Sequence, residues 1–317
     1  MSNAMADQQR GALEMVVASV SLGLLGPVAS IAYTSGLEPT VFTSIRAAIG
    51  ATILGAIVVF GRQPRMRLTG LPLHERRMLA AAVVLNGFQN VFLFLAYSQM
   101  SVALVLIVFY LYPVIVTAAS AATGRDRLTP LRVAALAVAM VGLALVAGAQ
   151  VGPDANATPG GVVLAALASL CHAAYYLVVR EGFPHVPAVM ATSLVLAGGF
   201  LISGVVALAT LGSSVAGTWV TDPTAWAMIL IAGSIGAAFP KVLVIRAVRA
   251  IGGSRASLVA LIEPVTGVVV AALALGQTLE AREIVGGAAI LVAAAIAQRR
   301  EPEPIPPARA GRTVFRP

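Results

Sequence analysis

Met78 to Gly124 reads MLAAAVVLNGFQNVFLFLAYSQMSVALVLIVFYLYPVIVTAASAATG, with no charged side chain anywhere in it. A helix crossing a bilayer needs about 20 predominantly apolar residues. The stretch therefore holds two crossings, joined by a tight turn at Gln99-Met100-Ser101. Val186 to Thr221 is equally clean. Over the whole chain 59% of residues are hydrophobic and 11% charged, against about 25% charged in a soluble domain. So little charge cannot cover a water-facing surface, and the surplus apolar surface must face lipid. A soluble helical core would need polar faces, and these segments are apolar nearly all round.

Pro and Gly signals divide the rest: Glu38-Pro39, Gly61 to Pro64, Thr129-Pro130, Gly152-Pro153, Pro184 to Pro187, Asp222-Pro223 and Gly252-Gly253. Ten spans are predicted, over 13–35, 40–60, 77–98, 102–122, 131–150, 160–180, 187–210, 224–245, 255–275 and 283–298. Met1-Ser-Asn-Ala-Met5 looks like a tag remnant, so 1–12 is read as that remnant plus an inner N-terminus. The Pro- and Arg-rich segment 299–317 is expected to be a disordered inner tail. Cys171 is the only cysteine, so no intrachain disulfide can form.

The basic residues set the orientation. With the N-terminus inside, 18 of the 21 Lys and Arg fall in inner loops or termini, as the positive-inside rule requires. The exceptions are Arg46, Lys241 and Arg282. The alternation would be scrambled by a miscounted helix, so it supports ten spans with both termini inside. It also accounts for the net charge of +8 without nucleic acid: the positive charge faces an anionic leaflet.

Ala96 to Val114 aligns with Ala247 to Val265 at a shift of 151 residues. Each copy has a short connection, then a span with a mid-helix proline, Pro113 or Pro264, and ends in a glycine turn at Gly124 or Gly276. Five helices per half is odd, so the halves, 13–150 and 151–298, must insert in opposite senses. This is the inverted-repeat architecture of secondary transporters, whose substrate site lies near mid-membrane between the repeats.

These residues resemble the drug/metabolite transporter superfamily, and within it the ten-helix EamA-type exporters. Leu37-Glu38-Pro39-Thr40-Val41-Phe42 with Arg46, the mid-helix prolines Pro113 and Pro264, and the turns Gly124 to Leu128 and Gly276 to Leu279 carry the likeness. Arg125 and Gln277 depart from it, standing where the family's turn has Glu. The resemblance implies secondary transport of small metabolites, and the chain looks most like an amino-acid exporter of the YddG type. Membrane lipid, a small-molecule substrate and protons are the implied partners. No cofactor is implied, and the compartment would be a bacterial-type inner (plasma) membrane.

Ionisable residues inside a membrane are candidates for function because each costs about 2.5–3.5 kcal/mol to insert. Glu263, just before Pro264, is either a proton- or amine-binding carboxylate or a packing group. Lys241, the only lysine, either lines the cavity beside Glu263 or a substrate carboxylate, or snorkels to the interface. His172 shares a helix face with Tyr175 and Tyr176 and could relay protons or make a structural bond. Arg46 is expected to pair with a carbonyl or Glu38, with a direct role toward substrate as the alternative. Asn86, Gln89 and Asn90 give one amide-rich face, lining a polar cavity or bonding between helices. Tyr97, Tyr110 and Tyr112 complete the candidate cavity, with at least one expected as an interface anchor. Pro27, Pro113, Pro240 and Pro264 mark helix breaks that can act as hinges. Low cavity charge points to a neutral or zwitterionic substrate.

Other classes fit poorly. A phosphate-binding loop needs Gly-Lys, and the one lysine follows a proline. His74-Glu75 starts an HExxH match, but Met78 stands at the second histidine position, and no metal site is expected. An intramembrane enzyme would need a serine such as Ser169 or Ser234 with His172, without any recognisable nucleophile motif. A non-transporting scaffold would need no inverted halves.

Overall fold

The computed structural model describes residues 2–35, 37–61, 68–97, 99–126, 129–149, 151, 158–212, 222–275 and 278–298. The expected tail 299–317, the turn at Gly152-Pro153, Arg62, Arg65, Arg67, Arg127, and Gly276-Gln277 lie outside the described residues.

Ten spans are present among the described residues. The first comprises α1 (Ser2–Gly23) and α2 (Leu25–Thr34), the second α3 (Pro39–Phe60), and the third α4 (Leu73–Tyr97). The fourth comprises α5 (Val102–Phe109) and α6 (Tyr112–Ala122); the fifth is α7 (Pro130–Ala149), the sixth α8 (Pro159–Glu181) and the seventh α9 (Ala188–Leu211). The eighth runs through α10 (Pro223–Gly233), a π-helical turn (Ser234–Ala238) and α11 (Phe239–Ile251). The ninth is α12 (Gly253–Ala260) with α13 (Ile262–Leu275), and the tenth α14 (Ala281–Ala297). Among the described residues nine are long and apolar enough to cross a membrane. The tenth has 17 residues, the lower end of the workable range of about 17–25.

The turn signals act as caps. Glu38 accepts from the backbone N–H of Thr40 at 2.7 Å and Val41 at 3.2 Å. Thr158 accepts from Gly161 N–H at 3.0 Å, and Asp222 from Thr224 N–H at 2.8 Å. Each is followed by a proline, whose missing N–H costs nothing in a first turn. Gly124 ends α6 at φ +68°, the left-handed conformation that glycine adopts without strain.

Each mid-helix proline follows a break. Pro27 follows the one at Leu24, Pro113 the one at Tyr110-Leu111, Pro240 the π turn, and Pro264 the one at Leu261. Proline has no N–H for the carbonyl four residues back and its ring crowds that carbonyl, so the helix opens there. The first span starts earlier than expected because the polar leader continues the helix, with Arg10 and Glu14 paired at 3.1 Å across one turn.

Packing follows a pseudo-twofold. The first span packs on the eighth as the sixth packs on the third; the second meets the seventh, the fourth the ninth and the fifth the tenth. These relations hold when each span is exchanged for the one five later, so the chain is two inverted five-helix repeats. The symmetry is incomplete in one respect. Both members of the first–eighth pair are broken, whereas α4 and α8 run through unbroken.

One end of the bundle is basic and tied together. Arg246 pairs with Glu14 at 2.5 Å, Arg180 with Asp126 at 3.1 Å, and Ser254 donates to Asp126 at 2.7 Å. His185 meets Glu75, and Arg249 donates to the carbonyls of Val186 at 2.9 Å and Phe183 at 3.0 Å. The positive-inside rule makes this end, with the N-terminus, the inner one.

Candidate functional site

Three of the four breaks meet at one place. A Cβ on Gly23 would lie 2.6 Å from the Glu263 carbonyl oxygen, and one on Gly236 would lie 2.3 Å from Leu25 Cδ2. The first, eighth and ninth spans thus approach each other where their helices open. At Gly23 the missing side chain lets the two backbones come this close.

Beside this crossing lies a small cavity, about 420 Å³ with the open space at its mouth included. Its polar lining is Thr43 and Arg46 on α3, Asn86 and Asn90 on α4, Ser203 on α9 and Lys241 on α11. Glu263, in the first turn of α13, is within electrostatic reach of Arg46 and Lys241 and lies close to Tyr110. Tyr97 is also within electrostatic reach of Glu263.

An aromatic cluster adjoins it. The His172 ring lies 4.5 Å from Tyr112, 5.1 Å from Tyr176, 5.2 Å from Phe109 and 6.2 Å from Tyr175 between centroids. Lys241 Nζ stands 5.7 Å from the centre of the Tyr175 ring, a cation–π distance that joins the cluster to the cavity.

The candidate residues sort as follows. Asn86, Asn90, Lys241, Glu263, Tyr97 and Tyr110 gather at or beside the cavity. His172, Tyr112, Tyr175 and Tyr176 form the aromatic cluster. Gln89 is 6% exposed and outside the cavity lining, so the amide face narrows to Asn86 and Asn90. Asn90 also donates to the Asn86 carbonyl at 2.7 Å. Lys241 points inward rather than snorkelling. Tyr110 and Tyr112 are 3% and 1% exposed; they are core groups, not interface anchors, because the Pro113 break turns this segment into the bundle.

For Arg46 the first of the two sequence readings fails among the described residues. It was expected to pair with a carbonyl or Glu38, but Glu38 spends its carboxylate on capping α3. Among the described residues Arg46 Nε has no hydrogen-bond partner. Its being the lone charge in α3 was the available signal. Thr43, one turn earlier, carried none. Ser169 Oγ and His172 Nδ1 also lack partners among the described residues, and Ser234 donates to the Leu230 carbonyl at 2.6 Å. Among the described residues neither Ser169 nor Ser234 is paired with a base, as a nucleophile would have to be.

Two inverted five-helix repeats, broken at a shared polar cavity within the membrane, define the class: a multi-pass membrane protein with the architecture of secondary transporters. A profile of the EamA-like transporter family matches residues 9–148 and again 159–298, and the chain belongs to that family. One solved crystal structure superposes with a TM-score of 0.68 at 21% identity, covering 89% of this chain and 97% of that one, a likeness of fold. No curated protein matches the chain.

Proposed function

We propose that the chain is a secondary exporter of small metabolites, with neutral or zwitterionic amino acids as its leading substrates, as in exporters of the YddG type. It works across a bacterial-type inner membrane by alternating access, the halves 13–150 and 151–298 rocking about the cavity. The observation that carries this reading is the meeting of three broken spans beside a cavity lined by Arg46 and Lys241, with Glu263 within electrostatic reach of both. Broken helices expose backbone polar groups, which membranes tolerate only where they line protein or a water-filled path. Glu263 is the coupling carboxylate in this reading, close to Tyr110 and within reach of two cations, and protons are its partner.

The test is counterflow of a labelled amino-acid panel in proteoliposomes, with and without an imposed pH gradient, for the wild type and Glu263→Gln. Gradient-driven accumulation is expected in the wild type and its loss, by at least about tenfold, in the variant. Equal flux in both proteins without a gradient would make the chain a facilitator and leave Glu263 to the fold. No amino-acid flux from folded protein would turn the reading to nucleosides or drugs, the second substrate class.

A further inference from the structure

Away from the span ends, the described membrane helices carry three charges: Arg46, Lys241 and Glu263. Two cations face one carboxylate, so one positive charge is left over in a region where a lone charge is costly. Neither Arg46 nor Lys241 makes an ion pair among the described residues.

The unpartnered atoms are also sorted by type. Arg46 Nε, a donor, and Thr43 Oγ1 have no partner and lie one turn apart on α3; Lys241 lines the same cavity from α11. The acceptor on the cavity wall is Asn86 Oδ1, which has no partner on a side chain 2% exposed; the Glu263 carboxylate lies within electrostatic reach of the same two cations. A guanidinium fork with a second cation beside it matches a carboxylate, which Arg binds through two parallel hydrogen bonds.

We propose that Arg46 and Lys241, helped by the Thr43 hydroxyl, form a seat for a carboxylate group that every transported molecule must carry. Asn86 and Glu263 receive an amino group where the molecule has one. The carboxylate neutralises the surplus charge; the amino group adds selectivity and is dispensable. Simple amines are excluded, because their only charge would face two cations. The inference deepens the export reading and rests on it for transport, but the seat is a statement about binding.

The experiment uses full-length purified protein and a panel of α-amino acids, each with its decarboxylated amine and its deaminated acid. Binding is read in detergent by thermal shift and titration, and transport by counterflow in proteoliposomes. Wild-type protein is expected to bind members of the amino-acid and deaminated-acid series and none of the amines. Arg46→Gln should weaken the binding of both carboxylate series at least tenfold, and Arg46→Lys should weaken it less. Lys241→Gln and Thr43→Val give the same direction, and keep the test open if Arg46→Gln does not fold. Amines bound as tightly as their parent acids overturn the proposal, as does unchanged carboxylate affinity in all the folded variants, or no binding of any series. Carboxylate binding without flux leaves the seat standing and sinks export. Flux of amines and acids alike leaves export standing and sinks the seat.

Discussion

Asp126→Ala is expected to open the inner end of the bundle, raising the labelling rate of a cavity thiol by about tenfold. Asp126 closes the turn between the fourth and fifth spans. It accepts from Arg180 at the end of α8 and from Ser254 at the start of α12, so one carboxylate of the first repeat holds two helix ends of the second. Arg180 also donates to the Arg125 carbonyl at 3.3 Å. The Arg180 and Asp126 side chains are 18% and 17% exposed, so the pair is neither a free surface bridge, worth about 0–1 kcal/mol, nor a fully buried one, whose breakage costs about 3–5 kcal/mol. About 1.4 kcal/mol lies between these and corresponds to a tenfold shift between two states. The readout is Ser203→Cys, on the cavity wall, in a Cys171→Ala background, labelled by an impermeant maleimide in inside-out vesicles. Arg180→Ala should act in the same direction, and adding it to Asp126→Ala should do little more, since both cut one network. Labelling unchanged in both single variants would mean that the inner end is held by helix packing alone.

The inner ties have a structural counterpart in the breaks. Exchange of repeats maps the first–eighth pair onto the sixth–third pair, yet the former is broken twice and the latter not at all. The cause is local and covalent: Pro27 and Pro240 have no proline at equivalent positions in α8 or α4. The two halves therefore present unequal partners to the cavity, one pair continuous and one jointed. A joint absorbs a change of angle at little cost, whereas a continuous helix moves as a rod. Motion about the cavity is expected to concentrate in the first and eighth spans, with the third and sixth serving as the frame.

How much of this was legible differs by level. The spans, their number and the orientation follow from apolar run length and arginine placement, because a bilayer imposes both on the chain directly. The four breaks follow as directly, since proline acts on its own backbone. The cavity was legible only in its rare residues. Lys241 and Glu263 announce themselves by the cost of charge in a membrane. Arg46 announces itself equally, but its partner was guessed from sequence proximity, and Glu38 satisfies its own helix start instead. Thr43 and Ser203 are common residues of apolar helices, and their place on the wall depends on helix rotation, which no single-span pattern specifies. The same limit applies to small-residue spacing. Ala144/Gly148 has the spacing of a close-packing pair, but a Cβ on Gly148 meets nothing within 4 Å. The close contact of α7 is one turn and a half earlier, at Gly142, where only the partner helix reveals it.

That contact carries the other large effect. Gly142→Leu and Gly286→Leu are each expected to abolish most of the folded, monodisperse protein, while Gly148→Leu leaves it near the wild-type level. A Cβ on Gly142 would stand 2.6 Å from the Gly286 carbonyl oxygen, and one on Gly286 would stand 2.5 Å from the Gly142 carbonyl oxygen. The approach is reciprocal, each glycine leaving room for the other's carbonyl oxygen, so each serves the other's backbone. Without a hydrophobic drive between helices in lipid, such pairs are held by close van der Waals contact and by weak Cα–H···O bonds. A carbonyl oxygen cannot rotate away as a side chain would, so the two helices must part along their length. Overpacking in a core costs about 1–3 kcal/mol, and here the loss of the helix–helix contact adds to it. Leu145 Cβ at 2.8 Å and Val146 Cγ2 at 3.0 Å from the Gly286 position leave no side route for the larger side chain. Gly142→Ala should give an intermediate loss, since its single methyl already meets the oxygen. Size-exclusion profiles and thermal midpoints of detergent-solubilised variants measure all four. Wild-type behaviour of both leucine variants would mean that α7 and α14 do not cross at these glycines, and that the symmetric pairing of the repeats fails at their outermost spans.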